Sequence, residues 1–122
     1  MKKIIPFLIT FLMAAAANAQ TSRELIGKWQ LVKLTHNGKE KDILQYFKSD
    51  KVYQAFTEDG KFQGTVGDKS TKGKWKLSKD NTQLTVTVDL IPVKFSVDYF
   101  DNEKRIITNE QIGTLEYRKI NQ

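Results

Sequence analysis

With one histidine and no cysteine among its 122 residues, this chain carries few of the side chains that do nucleophilic or transition-metal chemistry. His36 falls in Thr35-His36-Asn37-Gly38, which reads as a turn, and no carboxylate stands at a spacing that would orient it as a general base. Without cysteine, a transition-metal site would have to be built almost wholly from carboxylates, so none is expected. Glu58-Asp59 and Asp101-Asn102-Glu103 offer the oxygens a calcium ion takes, but turn chemistry explains both clusters without a metal. The residues therefore point to a non-enzymatic protein with no catalytic group, no metal and no cofactor.

The aromatic side chains carry more. Trp29, Phe56, Phe62, Trp75, Phe95, Tyr99 and Tyr117 share one strand phase with Gln54. Each aromatic buries roughly 150–250 Å². Read as packing, they fill the core of a small domain. Read as a site, Gln54, Tyr99 and Tyr117 place polar tips in an apolar cup beside Phe95 and Trp75, the mixture a ligand pocket shows. Gln54 is the sharpest of them, because a buried amide without a partner costs about 1–3 kcal/mol. A ligand in such a cup is expected near the two tryptophans.

Strands must hold these residues on one face. In Glu24 to Leu34, Trp29 and Leu31 share one phase while Val32 and Leu34 share the other, so the apolar pattern changes face at a β-bulge. Lys39 to Phe47 is the one helical segment, with Ile43, Leu44 and Phe47 on one face, placed as a lid on a barrel mouth. Lys51 to Thr57 and Lys61 to Val66 flank Glu58-Asp59-Gly60 as a hairpin. Gly67 to Ser70 reads as a turn, and Gly73, Trp75 and Leu77 form the apolar face of the fourth strand. Leu84, Val86, Val88 and Leu90 alternate with polar residues up to Ile91-Pro92, and Val93, Phe95, Val97 and Tyr99 alternate in the next strand. Lys104 to Thr108 and Thr114 to Ile120 complete eight. Eight short strands joined mostly by hairpin-length turns predict an all-β fold, an eight-stranded up-and-down antiparallel β-barrel with one short helix after the first strand.

Residues 1–19 are expected to be a signal peptide: Met1-Lys2-Lys3, an apolar run from Ile4 to Met13, and Ala17-Asn18-Ala19 before the cut. That run is shorter than the about 20 apolar residues a membrane helix needs, and no cysteine is present to accept a lipid. The expectation is thus a periplasmic or secreted protein that is no lipoprotein, with one domain over residues 20–122. Without Lys2 and Lys3 there are 18 basic and 14 acidic side chains, a charge of about +4, and the lysines alternate with apolar residues as in Lys72, Lys74 and Lys76. Nucleic acid would require basic residues clustered with stacking aromatics, so it is not an expected partner.

Gly27-Lys28-Trp29 at the start of the first strand resembles the Gly-x-Trp signature of the lipocalins, whose tryptophan closes one end of the barrel. The fuller resemblance is to the short secreted lipocalin-like proteins of Bacteroidetes. It lies in Leu25 to Leu34, in Phe56 to Phe62, in Gly73-Lys74-Trp75 followed by Leu84, and in Tyr117-Arg118. Val97-Asp98-Tyr99 is similar to the second lipocalin signature, with valine in the threonine position. The resemblance implies a barrel that binds small apolar or amphipathic molecules, a structural role for Gly27 and Trp29, and Arg118 as the arginine packed on the tryptophan ring. A second reading is a protein-binding module, such as a periplasmic protease inhibitor on a small barrel, with Gln20 to Arg23 as an arm.

Overall fold

The computed structural model describes residues 23–120; the expected signal peptide and the start of the mature chain lie outside the described residues. Among the described residues a helical turn at 23–25 precedes nine strands and one short helix: β1 (Gly27–His36), β2 (Lys39–Lys41), α1 (Ile43–Phe47), β3 (Val52–Phe56), β4 (Lys61–Val66), β5 (Lys69–Leu77), β6 (Gln83–Val88), β7 (Ile91–Phe100), β8 (Lys104–Asn109) and β9 (Gly113–Ile120). From β3 to β9 each strand pairs antiparallel with the next, and β9 returns to β1, so eight strands close a barrel. β1 is shared along its length. Gly27 to Gln30 pair with β3, while Leu34 to His36 pair with the short strand β2. Closure leaves the barrel strands without the free edges on which another chain could add.

The bend that lets β1 serve both neighbours is where the apolar pattern switches. Its register with β9 shifts between Leu31 and Lys33, so Trp29, Leu31 and Leu34 all point inward while Val32 is turned out. Trp29, Phe56, Phe62, Leu84, Phe95, Ile107 and Leu115 meet in one core. Each fully buried side chain of this kind is worth about 1.5–3 kcal/mol, which is how a domain without disulfides holds.

Three boundaries differ from the sequence reading. Lys39 to Lys41 is strand, not helix, because Asn37 and Gly38 take left-handed φ of 53° and 77° and fold the chain straight back on β1. The helix begins only at Ile43, where Asp42 accepts from the Leu44 amide at 3.2 Å, and it ends at Lys48 with φ 66°. β5 begins at Lys69, since the turn before it is only Gly67-Asp68. β6 stops at Val88: Asp89 and Leu90 form a two-residue turn with φ 53° and 66°, and Ile91-Pro92 opens β7 instead of closing β6. Leu90, expected on the apolar face, is 94% exposed at that turn.

Candidate functional site

The two ends of the barrel are built differently. One end is shut by a helical turn at residues 23–25 that brings Leu25 beneath Trp29. Trp29 Nε1 donates to the Leu25 carbonyl at 2.8 Å. Lys119 Nζ donates to the Glu24 carbonyl at 2.6 Å and stands 5.3 Å from the centre of the Trp29 ring; burial lowers its pKa. Trp29 is fully buried at this end, and Gly27, where β1 begins, takes φ +131°.

Trp75 belongs to this closed end as well. Its Nε1 donates to the Thr57 carbonyl at 2.9 Å, its amide donates to the Gly60 carbonyl at 2.9 Å, and its ring meets Phe56 edge-on at 5.8 Å. It ties β5 to the β3–β4 hairpin and does not line the cavity described below.

At the other end a cavity of 380 Å³ opens. α1 contributes Phe47 to it, β3 Val52 and Gln54, β4 Val66, β7 Phe95, the β8–β9 connection Ile112, and β9 Leu115 and Tyr117. Of the expected ligand set, Gln54, Phe95 and Tyr117 come together here. Tyr99 does not. The β7–β8 register shifts between Val97 and Tyr99, a second bulge, which turns Tyr99 outward and gives its inward place to Phe100, 6.1 Å from Trp29. Tyr99 is half exposed and donates to Asp101 Oδ2 at 2.7 Å; that hydrogen bond raises the phenol's pKa and lowers the carboxyl's.

Between the closed end and the cavity lies a residue the strand pattern left unremarked. Arg105 of β8 is completely buried, the one charged side chain in the core among the described residues. Its guanidinium faces the rings of Tyr117, Phe56 and Trp29 at 4.3, 4.9 and 5.1 Å. Nη2 donates to Gln54 Oε1 at 2.7 Å, while Nε and Nη1 have no partner. Rings that surround a desolvated cation return about 2 kcal/mol. Withdrawing an ion from water costs several. Burial accordingly lowers the Arg105 pKa to about 10, which still leaves it charged at neutral pH, and raises the Tyr117 phenol to about 12.

Arg105, and not Arg118, is therefore the arginine on the tryptophan. Leu115 and Tyr117 point inward, so alternation along β9 turns Arg118 out, and it is exposed. The signal available for Arg105 was its phase: it stands two residues before Ile107, which is fully buried. The adjacent Ile106 makes the opposite phase equally apolar and hides that signal.

The turn clusters hold backbone. Asp101 Oδ1 accepts from the amides of Glu103 and Lys104 at 2.8 and 2.7 Å, and Asp59 accepts from the Thr57 hydroxyl and sits 3.9 Å from Lys61 Nζ. His36 lies at the end of β1 with Nδ1 3.3 Å from the Ile112 carbonyl. Among the described residues no group of His, Asp and Glu gathers as a metal site, and no helix is long and apolar enough to cross a membrane.

Residues 13–113 match the family of the C-terminal lipocalin-like domain. Among solved structures, a lipocalin-like protein from Bacteroides uniformis is 18% identical, with a TM-score of 0.64 over 80% of this chain and 99% of its own. An uncharacterised protein from Bacteroides eggerthii is also 18% identical, with a TM-score of 0.63 over 79% of this chain and 99% of its own. A DUF4847 family protein from Bacteroides vulgatus is 13% identical, with a TM-score of 0.59 over 79% and 94%. These likenesses carry the fold and nothing further. No curated protein matches. By the family match, which spans most of its length, the chain belongs to the C-terminal lipocalin-like domain family.

Proposed function

We propose that the protein is a non-enzymatic binding protein, working in the periplasm or outside the cell, that holds a small apolar or amphipathic molecule in the open-end cavity. One observation carries this reading. A barrel of eight strands has an interior just large enough to be filled by side chains, yet here Trp29, Phe56, Trp75 and Phe100 fill the closed end while Phe95 and Tyr117 wall a space of 380 Å³ that stays open at the other. The cavity has the composition of a ligand site: an apolar wall of Val52, Val66, Phe95, Ile112 and Leu115, with the Gln54 amide and Tyr117 phenol among its polar points beside Thr65, Lys69 and Thr71. Location rests on the leader pattern at residues 1–19. Native mass spectrometry of protein purified from its own cell envelope tests the reading. A mass adduct released by organic solvent is expected, and bare protein that also takes up no amphiphile on titration counts against it.

A protein-binding role is supported by a different feature, the apolar tip of the β6–β7 turn, where Leu90 and Ile91 are 94% and 64% exposed. Leu90→Asp would abolish capture of a protein partner if that tip binds one, and would leave uptake of a small molecule unchanged.

A further inference from the structure

Arg105 brings a positive charge into the core with no negative one to meet it. The ion pairs among the described residues, Lys61 with Asp59 and Lys104 with Glu116, lie at the barrel surface, and the hydrogen-bond partner Arg105 has is a neutral amide. That partner lies in the cavity wall. An arginine only donates, so Gln54 must give it Oε1, and the amide nitrogen is left as a donor with no acceptor among the described residues. The Tyr117 hydroxyl likewise makes no hydrogen bond to a described residue, although its ring lies against the guanidinium. Among the described residues the sealed side-chain atoms without partners are Nε and Nη1 of Arg105, so the Gln54 nitrogen and the Tyr117 oxygen are both reachable by water. Two unspent donors stand over a buried cation at the base of an apolar cup.

From this arrangement we infer that the ligand is an amphipathic anion, a carboxylate with an apolar tail, which enters head first. Its carboxylate accepts from Gln54 Nε2 and the Tyr117 hydroxyl above Arg105, and its tail lies along Val52, Val66, Phe95 and Leu115. The charge selects against a neutral head and more strongly against a cationic one, because the field of a buried guanidinium is poorly screened. This inference rests on the binding function proposed above, and its test separates the two.

Isothermal titration of the full mature chain with decanoic acid, decanol and decylamine reads it out. The acid is expected to bind on the order of tenfold or more tighter than the alcohol, and the amine most weakly. Tyr117→Phe keeps the ring against Arg105 and should reduce acid affinity severalfold while the alcohol loses less. Lys69 stands at the cavity rim and would anchor a carboxylate entering tail first. Lys69→Gln is expected to leave the acid preference intact, and its loss there would overturn the head-first orientation. Equal affinity for acid and alcohol would overturn the anion while leaving the binding function standing. If none of the three binds, both fall.

Discussion

Arg105 Nη2 donates to Gln54 Oε1 at 2.7 Å and so joins β8 to β3 through the interior, between strands that are not neighbours in the barrel. Below this bond the rings of Trp29 and Phe56 close the barrel, and above it the cavity opens. It is the boundary between the structural half of the molecule and the half that has room for a ligand.

Gln54→Leu should cost about 1.5–3 kcal/mol, since it strips a buried charge of its acceptor. The double change Gln54→Leu with Arg105→Met removes charge and acceptor together, and such replacements are often neutral or stabilising by about 1–4 kcal/mol. Urea denaturation of the two single variants and the double completes the cycle. Additive costs would mean that the two residues are not coupled.

The pair was only partly legible in the sequence. Gln54 stood out as a polar amide in the same phase as the apolar Val52 and Phe56. Arg105 did not, because a charged residue beside two consecutive isoleucines fits a surface position in either phase, and only closure of the barrel brings Trp29, Phe56 and Tyr117 around it. The two bulges show the same asymmetry. At Val32 the apolar phase itself breaks, whereas at Asp98 the adjacent Tyr99 and Phe100 satisfy either phase and hide the shift. The eight barrel strands were readable because most turns are short and carry Gly, Asn or Asp. The Asp89-Leu90 turn was not, since its second residue is a leucine in the left-handed region.

Trp29→Ala should cost about 3–5 kcal/mol, comparable with the whole stability of a domain this size. It removes a fully buried ring, the hydrogen bond to Leu25 and one wall of the Arg105 cage. Loss of the cooperative melt is the expected result; a variant melting within a degree or two of the parent contradicts the closed-end assignment.

Two glycines should fail for different reasons. Gly60 has φ +85°, and an added Cβ would make only an ordinary 3.9 Å contact with the Trp75 carbonyl oxygen, so Gly60→Val should cost more than about 1 kcal/mol chiefly through backbone strain. At Gly73 a Cβ would stand 2.2 Å from the Thr87 carbonyl oxygen, a steric collision with the backbone of β6. Gly73→Ala should therefore destabilise at least as much as Gly60→Val. Glu58→Ala, on the exposed side of the same hairpin turn as Gly60, should change stability by less than about 0.5 kcal/mol. Comparable melting points for all three would remove both arguments.

Burial raises the Tyr117 phenol from 10.0 to about 12. A group whose folded pKa is raised stabilises below its unfolded value and loses that contribution as pH climbs toward the folded one. Tyr117→Phe removes this loss, so the stability difference between variant and parent should move in the variant's favour between pH 10 and 12. Arg105, whose pKa burial lowers, works in the opposite direction, and because its charge and the Tyr117 phenolate favour one another it offsets part of the difference without reversing its sign. A difference that stays flat across this window means that Tyr117 does not titrate as a buried phenol.

Trp29 and Trp75 both belong to the closed end, so tryptophan emission reports poorly on the cavity, and methyl groups are better placed. The most direct test is an NMR titration of the mature chain with decanoic acid and decanol, following the methyl signals of Val52, Val66 and Leu115 together with the Gln54 side-chain amide. The predicted result is saturable shifts at these four residues while Leu90 and Ile91 stay unmoved. Shifts confined to the barrel exterior, or none with either compound, would contradict a ligand-binding cavity at the open end.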